Sequence, residues 1–305
     1  MTFGLGTQGM MTHFKIITTS FLRRPALFFK RFNSSAISES NNALVLKNKI
    51  GAVATIGINR PTKRNCVNYA TAEQLVQAFE EFDQDESVCA IVLHGIGGNF
   101  CAGYDLQELS TGNASILPEK RGPMGPSQML TKKPLIAAVS GYAVAGGFEL
   151  ALLCDMRVVE DTAVMGVFCR RFGVPLIDGG TVRLPALIGL SRAMDLILTG
   201  RPIKAKEALE WGLANRVVSC GTALGQAVNL ADSLKNFPQK CMQADRRSAY
   251  YATYSAKSLE DALQYEFDNG VPVLEMESIH GARKFVDGVG HHGKFQLNGS
   301  SESKK

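Results

Sequence analysis

The chain has 305 residues, 45% of them hydrophobic and 20% charged, a globular composition at a length that does not limit the core. No apolar run approaches the roughly 18 residues of a membrane span, and seven scattered cysteines without a repeated CxxC exclude a zinc cluster or disulfide framework. The net charge of +5 belongs to residues 1–38, which hold five basic residues and no acid; the remainder balances at 28 basic and 28 acidic, so nucleic acid is not an expected partner.

Residues 1–38 combine Arg and Ser, no acid, and interspersed Phe and Leu, the pattern of a mitochondrial transit peptide; delivery to the mitochondrial matrix follows as the expectation. Arg23 and Arg24 would interrupt the apolar core of a secretory signal, and a disordered leader is the alternative. From 43 to 59 the pattern predicts two short strands about a turn at 47–49, and a third strand follows at 89–96. Between them TAEQLVQAFEEFDQD predicts an amphipathic helix with Thr71 as N-cap, Gln74 as its capping-box partner, and Leu75, Phe79 and Phe82 on a buried stripe. Another helix is expected near 104–109, so the grammar is α/β. Residues 110–130 carry little pattern and read either as a loop beside a pocket or as a solvated connection.

The stretch 132–183 holds the chemistry. An apolar strand lies between Pro134 and Gly141, and Gly146-Gly147 mark a helix start whose free N–H groups can approach an oxyanion. Glu149 falls in an otherwise continuous apolar segment, where burial raises a carboxyl pKa toward general acid–base use. Asp178 precedes Gly179-Gly180, as a second carboxylate or as an Asx-type turn. Farther on, LSRAMDLILTG predicts a helix ending at Gly200 with Leu190, Met194 and Leu198 at spacings of four. Next, IKAKEALEWGLANRVV gives a helix and a short strand. Beyond Gly221 only helices are expected, followed by a Gly/His/Lys tail in which His291-His292 read as solvated. No GxSxG, HExxH or post-strand GxGxxG is present, and no metal site is expected.

With these elements placed, the chain resembles the crotonase, or enoyl-CoA hydratase/isomerase, superfamily from about 44 to 295. The resemblance rests on RPTKRNCVN (60–68), AIVLHGIGGNFCAGYDLQEL (90–109), KPLIAAVSGYAVAGGFELALLCD (133–155), GVPLIDGGTVRLPALIG (173–189) and LTGRPIKAKEALEWGLANRVV (198–218). It implies an α/β spiral of ββα units at 43–220, a helical trimerisation region at 221–295 and a disordered tail at 296–305. It also implies a homotrimer or a dimer of trimers. The substrate would be an acyl-CoA thioester, with coenzyme A as part of the substrate and no permanently bound cofactor.

By the same resemblance the oxyanion hole falls on the N–H groups of Ala102 and Gly146, and Glu149 matches the first hydratase glutamate. The second falls on Cys169, a departure that Asp178 would make good. Cys169 reads either as inert packing or as a thiol that Arg170 and Arg171 draw toward thiolate. Tyr104, Phe148 and Phe168 are expected at the pocket, and Lys63, Arg64, Asp105, Leu106, Lys284 and Phe285 at coenzyme A. The implied activity is that of an acyl-CoA lyase or isomerase stabilising a thioester enolate, hydratase-like first. A dienoyl-CoA-type isomerase, a malonyl-type-CoA decarboxylase and a non-catalytic CoA-ester binder or scaffold are the alternatives.

Overall fold

A computed structural model describes residues 43–112 and 121–291. The expected leader, the tail, the middle of the 110–130 stretch and His292 lie outside the described residues. The chain opens with β1 (Val45–Ile50) and β2 (Val53–Ile58), an antiparallel pair. Their turn is at Gly51, where φ is +60°, and not at 47–49 as expected; residues 47–49 continue the ladder. Helix α1 (Tyr69–Gln84) then leads to β3 (Ala90–Gly95), parallel to β2.

Leu75, Phe79 and Phe82 are buried as their spacing predicts. The cap differs: Asn68 accepts from the Thr71 N–H, while Gln74 accepts from the Leu44 and Val45 N–H groups and ties α1 to β1. An extended Asn with a free carboxamide oxygen serves the first turn as well as Thr would. After β3, Asp105 caps the short α2 (Leu106–Ser110).

The central stretch forms β4 (Leu135–Val139), β5 (Tyr142–Val144), α3 (Gly146–Leu153), β6 (Met156–Glu160) and β7 (Val164–Gly166). It continues through α4 (Gly180–Ile188), α5 (Leu190–Thr199), β8 (Ile203–Lys204), α6 (Ala205–Glu210) and β9 (Arg216–Val218). One sheet runs β1-β2-β3-β4-β6-β9, parallel beyond its first pair; the other runs β5-β7-β8. Strands β2 and β4 are buried along their whole length, as parallel strands covered on both faces must be.

Four helices follow: α7 (Ala223–Leu234), α8 (Gln239–Tyr254), α9 (Leu259–Val273) and, after a π turn, α10 (Ile279–Val286). No strand follows Val218 among the described residues. Helix α7 lays Ala223, Ala227 and Ala231 against Val92, Ile136 and Val158, covering one face of the large sheet. Helix α8 is tied to the core through Asp155, whose carboxylate accepts from Arg246, Tyr250 and the Leu135 N–H. Leu190, Met194 and Leu198 turn outward, and α5 buries Ala193, Leu196 and Ile197 instead. Phe267, Ile279 and Phe285 on α9 and α10 are likewise exposed.

Candidate active site

Two glycines let the chain approach itself closely at the start of α3. A Cβ on Gly147 would stand 2.1 Å from the Cys101 carbonyl oxygen, and one on Gly103 would stand 2.9 Å from the Ala145 Cβ. The loop after β3 and the N-terminus of α3 are therefore in backbone contact. Ala145, the residue before the helix, has φ +55° and ψ −130°, a conformation an L-residue holds only when its surroundings impose it. Its N–H is tied to the Gly166 carbonyl, which fixes that turn. The next N–H, of Gly146, has no acceptor among the described residues, as the first turn of a helix dictates.

The opposite donor is not the one expected. The Ala102 N–H donates to the Arg64 carbonyl at 3.0 Å, so it is already engaged. Two residues on, Val67 bridges the Gly103 carbonyl and the Asp105 N–H, leaving the Tyr104 N–H between them without an acceptor among the described residues. Gly103, at φ +99°, breaks strand alternation between the two. The free pair is thus Tyr104 and Gly146, and both line the same cavity. Nothing in the composition of the motif distinguishes Ala102 from Tyr104; the hydrogen bond to Arg64, a long-range contact, does.

That cavity has a volume of about 440 Å³, and its walls include Ala102, Leu106, Phe168, Cys169 and Ile177 together with Glu149 and Asp178. Glu149 is only 2% exposed. Its Oε1 accepts from the Asp178 N–H at 3.0 Å and the Gly180 N–H at 2.8 Å, so the carboxyl group sits against the N-terminus of α4. A Cβ on Gly180 would stand 2.9 Å from that oxygen, which explains a glycine there. Asp178 Oδ1 accepts from the Met124 N–H at 3.0 Å and from the Ser127 hydroxyl. Neither carboxylate forms a salt bridge among the described residues. The second oxygen of each, Oε2 and Oδ2, has no protein donor among the described residues and is not sealed from solvent, so both open on the cavity.

Burial first, and then the Asp178 charge, pushes the Glu149 carboxyl up to about 7. Burial also raises Asp178, against the opposing pull of Ser127, Met124 and Arg183. The arrangement is two carboxyl groups of shifted affinity facing one apolar space beside two free N–H groups. Such a set can exchange protons with a bound carbon acid while the N–H pair takes up charge on its oxygen.

Cys169 reaches the cavity, and its thiol is pushed up by burial and by the Glu149 charge, which favours the inert reading over the thiolate. Arg170 and Arg171 are turned away: Arg170 donates to the Ile197 carbonyl, and Arg171 donates to Gly200 and stacks on Phe168. Phe148, expected at the pocket, lies in the hydrophobic core and is not among the cavity walls.

Of the residues expected at coenzyme A, Leu106 lines the cavity. The Asp105 side chain pairs with Arg60 at 2.9 Å and caps α2. Lys63 donates to Gln107 at 2.9 Å, and Arg64 lies over the Tyr142 ring. Lys284 and Phe285 line a separate cavity of about 780 Å³ with Lys235, Phe237 and His280. Sequence reasoning missed Ser127 and Arg183, because a lone Ser in an unpatterned loop and an Arg on a helix carry no local signal.

The enoyl-CoA hydratase/isomerase family profile matches residues 48–288. A mevalonyl-coenzyme A hydratase of Aspergillus fumigatus is 31% identical over 240 residues, covering 77% of this chain and 88% of that protein. The enoyl-CoA hydratase EchA19 of Mycobacterium tuberculosis is 37% identical over 245 residues, covering 78% and 91%. Among solved structures, an enoyl-CoA hydratase from Mycobacterium tuberculosis superposes with a TM-score of 0.76 at 34% identity, over 80% of this chain and 96% of that one.

Proposed function

The chain belongs to the enoyl-CoA hydratase/isomerase family, and on that premise we propose that it adds water reversibly across the α,β double bond of an acyl-CoA thioester. The observation that carries this reading is the pair Glu149 and Asp178, each tethered through one oxygen and open to a shared cavity through the other. The family resemblance puts Cys169 at the position of the second hydratase glutamate, and Asp178 restores the count of two carboxylates. The names of relatives, a mevalonyl-coenzyme A hydratase and an enoyl-CoA hydratase, support the reaction class.

The thioester oxygen docks on the Tyr104 and Gly146 N–H groups. Water between Oε2 and Oδ2 attacks the β carbon and gives a proton to the ionised carboxylate, while the π electrons move onto the thioester as an enolate. The protonated carboxyl then delivers its proton to the α carbon. An N–H donor of this kind contributes about 3–4 kcal/mol of transition-state stabilisation, and a positioned acid or base about 10²–10⁴ in rate.

A panel of 2-enoyl-, dienoyl- and malonyl-type CoA esters, followed by product mass, tests the proposal with wild type, E149Q and D178N. The expected outcome is a gain of one water on enoyl esters, with kcat reduced by about 10²–10⁴ in each variant. Isomerisation without mass change, which Asp178 in place of a second glutamate also favours, would replace hydration as the activity. Loss of carbon dioxide from malonyl-type esters would assign a decarboxylase, and binding without turnover a CoA-ester binder.

A further inference from the structure

Glu149 and Asp178 share a cavity, but their tethers differ in kind. Among the described residues, Glu149 Oε1 is held by two peptide N–H groups alone. Asp178 Oδ1 is held by one peptide N–H and by a hydroxyl, that of Ser127, which is fully buried. Arg183 cross-braces the second arrangement. One guanidinium nitrogen donates to the Asp178 carbonyl at 3.0 Å and the other to the Ser127 carbonyl at 2.7 Å, so the two residues are locked at both ends. The space is closed around them as well: a Cβ on Gly122 would stand 2.0 Å from the Ser127 Oγ and 2.1 Å from the Asp178 Oδ1. A hydroxyl that donates to a carboxylate favours the ionised form, and a fixed cation beside it does the same.

We propose that Ser127 is a positioning residue that keeps Asp178 the ionised member of the pair, which makes Asp178 the base and Glu149 the acid in water addition. The inference rests on the hydratase reading for those roles and on the Ser127–Arg183 brace for the assignment. The proton accounting is closed. Asp178 takes a proton from the attacking water, Glu149 gives its own to the α carbon, and the pair returns to its starting state when one proton passes from Asp178 to Glu149. Two carboxyl groups in equivalent tethers would share the proton, and either could end up as the base. The brace removes that degeneracy. It also gives the 121–130 segment a task, since Met124 and Ser127 both come from it.

The test uses the full chain labelled with [4-¹³C]aspartate, with D178N identifying the Asp178 resonance. Carboxyl titrations from about pH 4 to 9 bracket the ordinary and the raised range and are recorded for wild type, S127A and S127T. The pH dependence of kcat/KM follows on whichever enoyl ester wild type turns over. Loss of a hydroxyl donor to a charged acceptor moves the Asp178 midpoint up by about one to two units. The acidic limb of kcat/KM moves the same way, and S127T, which keeps the hydroxyl, restores both. An Asp178 midpoint unmoved in S127A overturns the proposal, even if the variant melts at a lower temperature. Should S127A not fold, S127C keeps the bulk with a weaker donor and is judged by the same midpoint. Because the resonance reports protonation without turnover, a wild type inactive on every ester refutes the hydratase reading while the titration still decides the role of Ser127.

Discussion

Glu149 hangs on two peptide N–H groups and turns its remaining oxygen into an apolar cavity. Its folded-state affinity for a proton, near pH 7, lies well above the ordinary carboxyl value of about 4.3. The folded chain therefore holds a proton that the unfolded chain has released between those values, and stability falls as pH rises through that window. The loss levels off above about pH 7 at an order of 3 kcal/mol. Glutamine can keep the Oε1 contacts while carrying no charge. Urea unfolding of wild type and E149Q at pH 5 and pH 8 is expected to show E149Q gaining on wild type by about 2–3 kcal/mol at the higher pH. An equal difference at both values would refute the assigned shift. The same change lowers activity, so at this position stability and function oppose each other.

Helix α3 carries that glutamate, and its placement depends on both of its ends. At the start, Gly147 admits the Cys101 carbonyl, and Ala145 is held in its strained turn by the Gly166 carbonyl. At the other end the buried Arg157 donates to the Cys154 carbonyl at 2.6 Å and the Ala151 carbonyl at 3.4 Å, satisfying acceptors that a short helix leaves open. A further bond, from its Nε to the Leu213 carbonyl, joins α3 to the segment before β9. A methyl group at 147 meets backbone rather than a movable side chain. G147A is expected to destabilise the fold by about 3 kcal/mol or more and to displace the Gly146 N–H from the cavity. Thermal unfolding reads the first effect and loss of kcat the second; a variant with wild-type stability and rate would contradict the close approach.

At the scale of the whole molecule, the sequence reveals what is local or periodic. The stripe Leu75, Phe79 and Phe82, the apolar strands and the glycine pair announce the α/β grammar and the helix start, and the five ordered motifs point to the family. The sequence hides what depends on distant partners. Asn68 rather than Thr71 caps α1, because Gln74 is drawn away to β1. The stripe Leu190, Met194 and Leu198 has helical spacing but lies on the outer face of α5, since periodicity gives a face and not its direction. In the site, Glu149 and Asp178 could be named from burial and motif, whereas Tyr104 for Ala102, and Ser127 with Arg183, follow only from hydrogen bonds across 36 to 56 positions of sequence. The small sheet β5-β7-β8 is likewise built from strands too short to show alternation.

On the proposed function, this arrangement of N–H groups and carboxyls stabilises a thioester enolate, whichever product leaves. Exchange of the α hydrogens of a saturated acyl-CoA in D₂O, followed by proton NMR, measures that step without requiring a complete reaction. Exchange is expected with wild type, with its loss by at least about 10²-fold when both carboxylates are replaced, as in E149Q/D178N. An acyl-CoA that binds to wild type and keeps its α hydrogens, or exchange undiminished in the double variant, would contradict it.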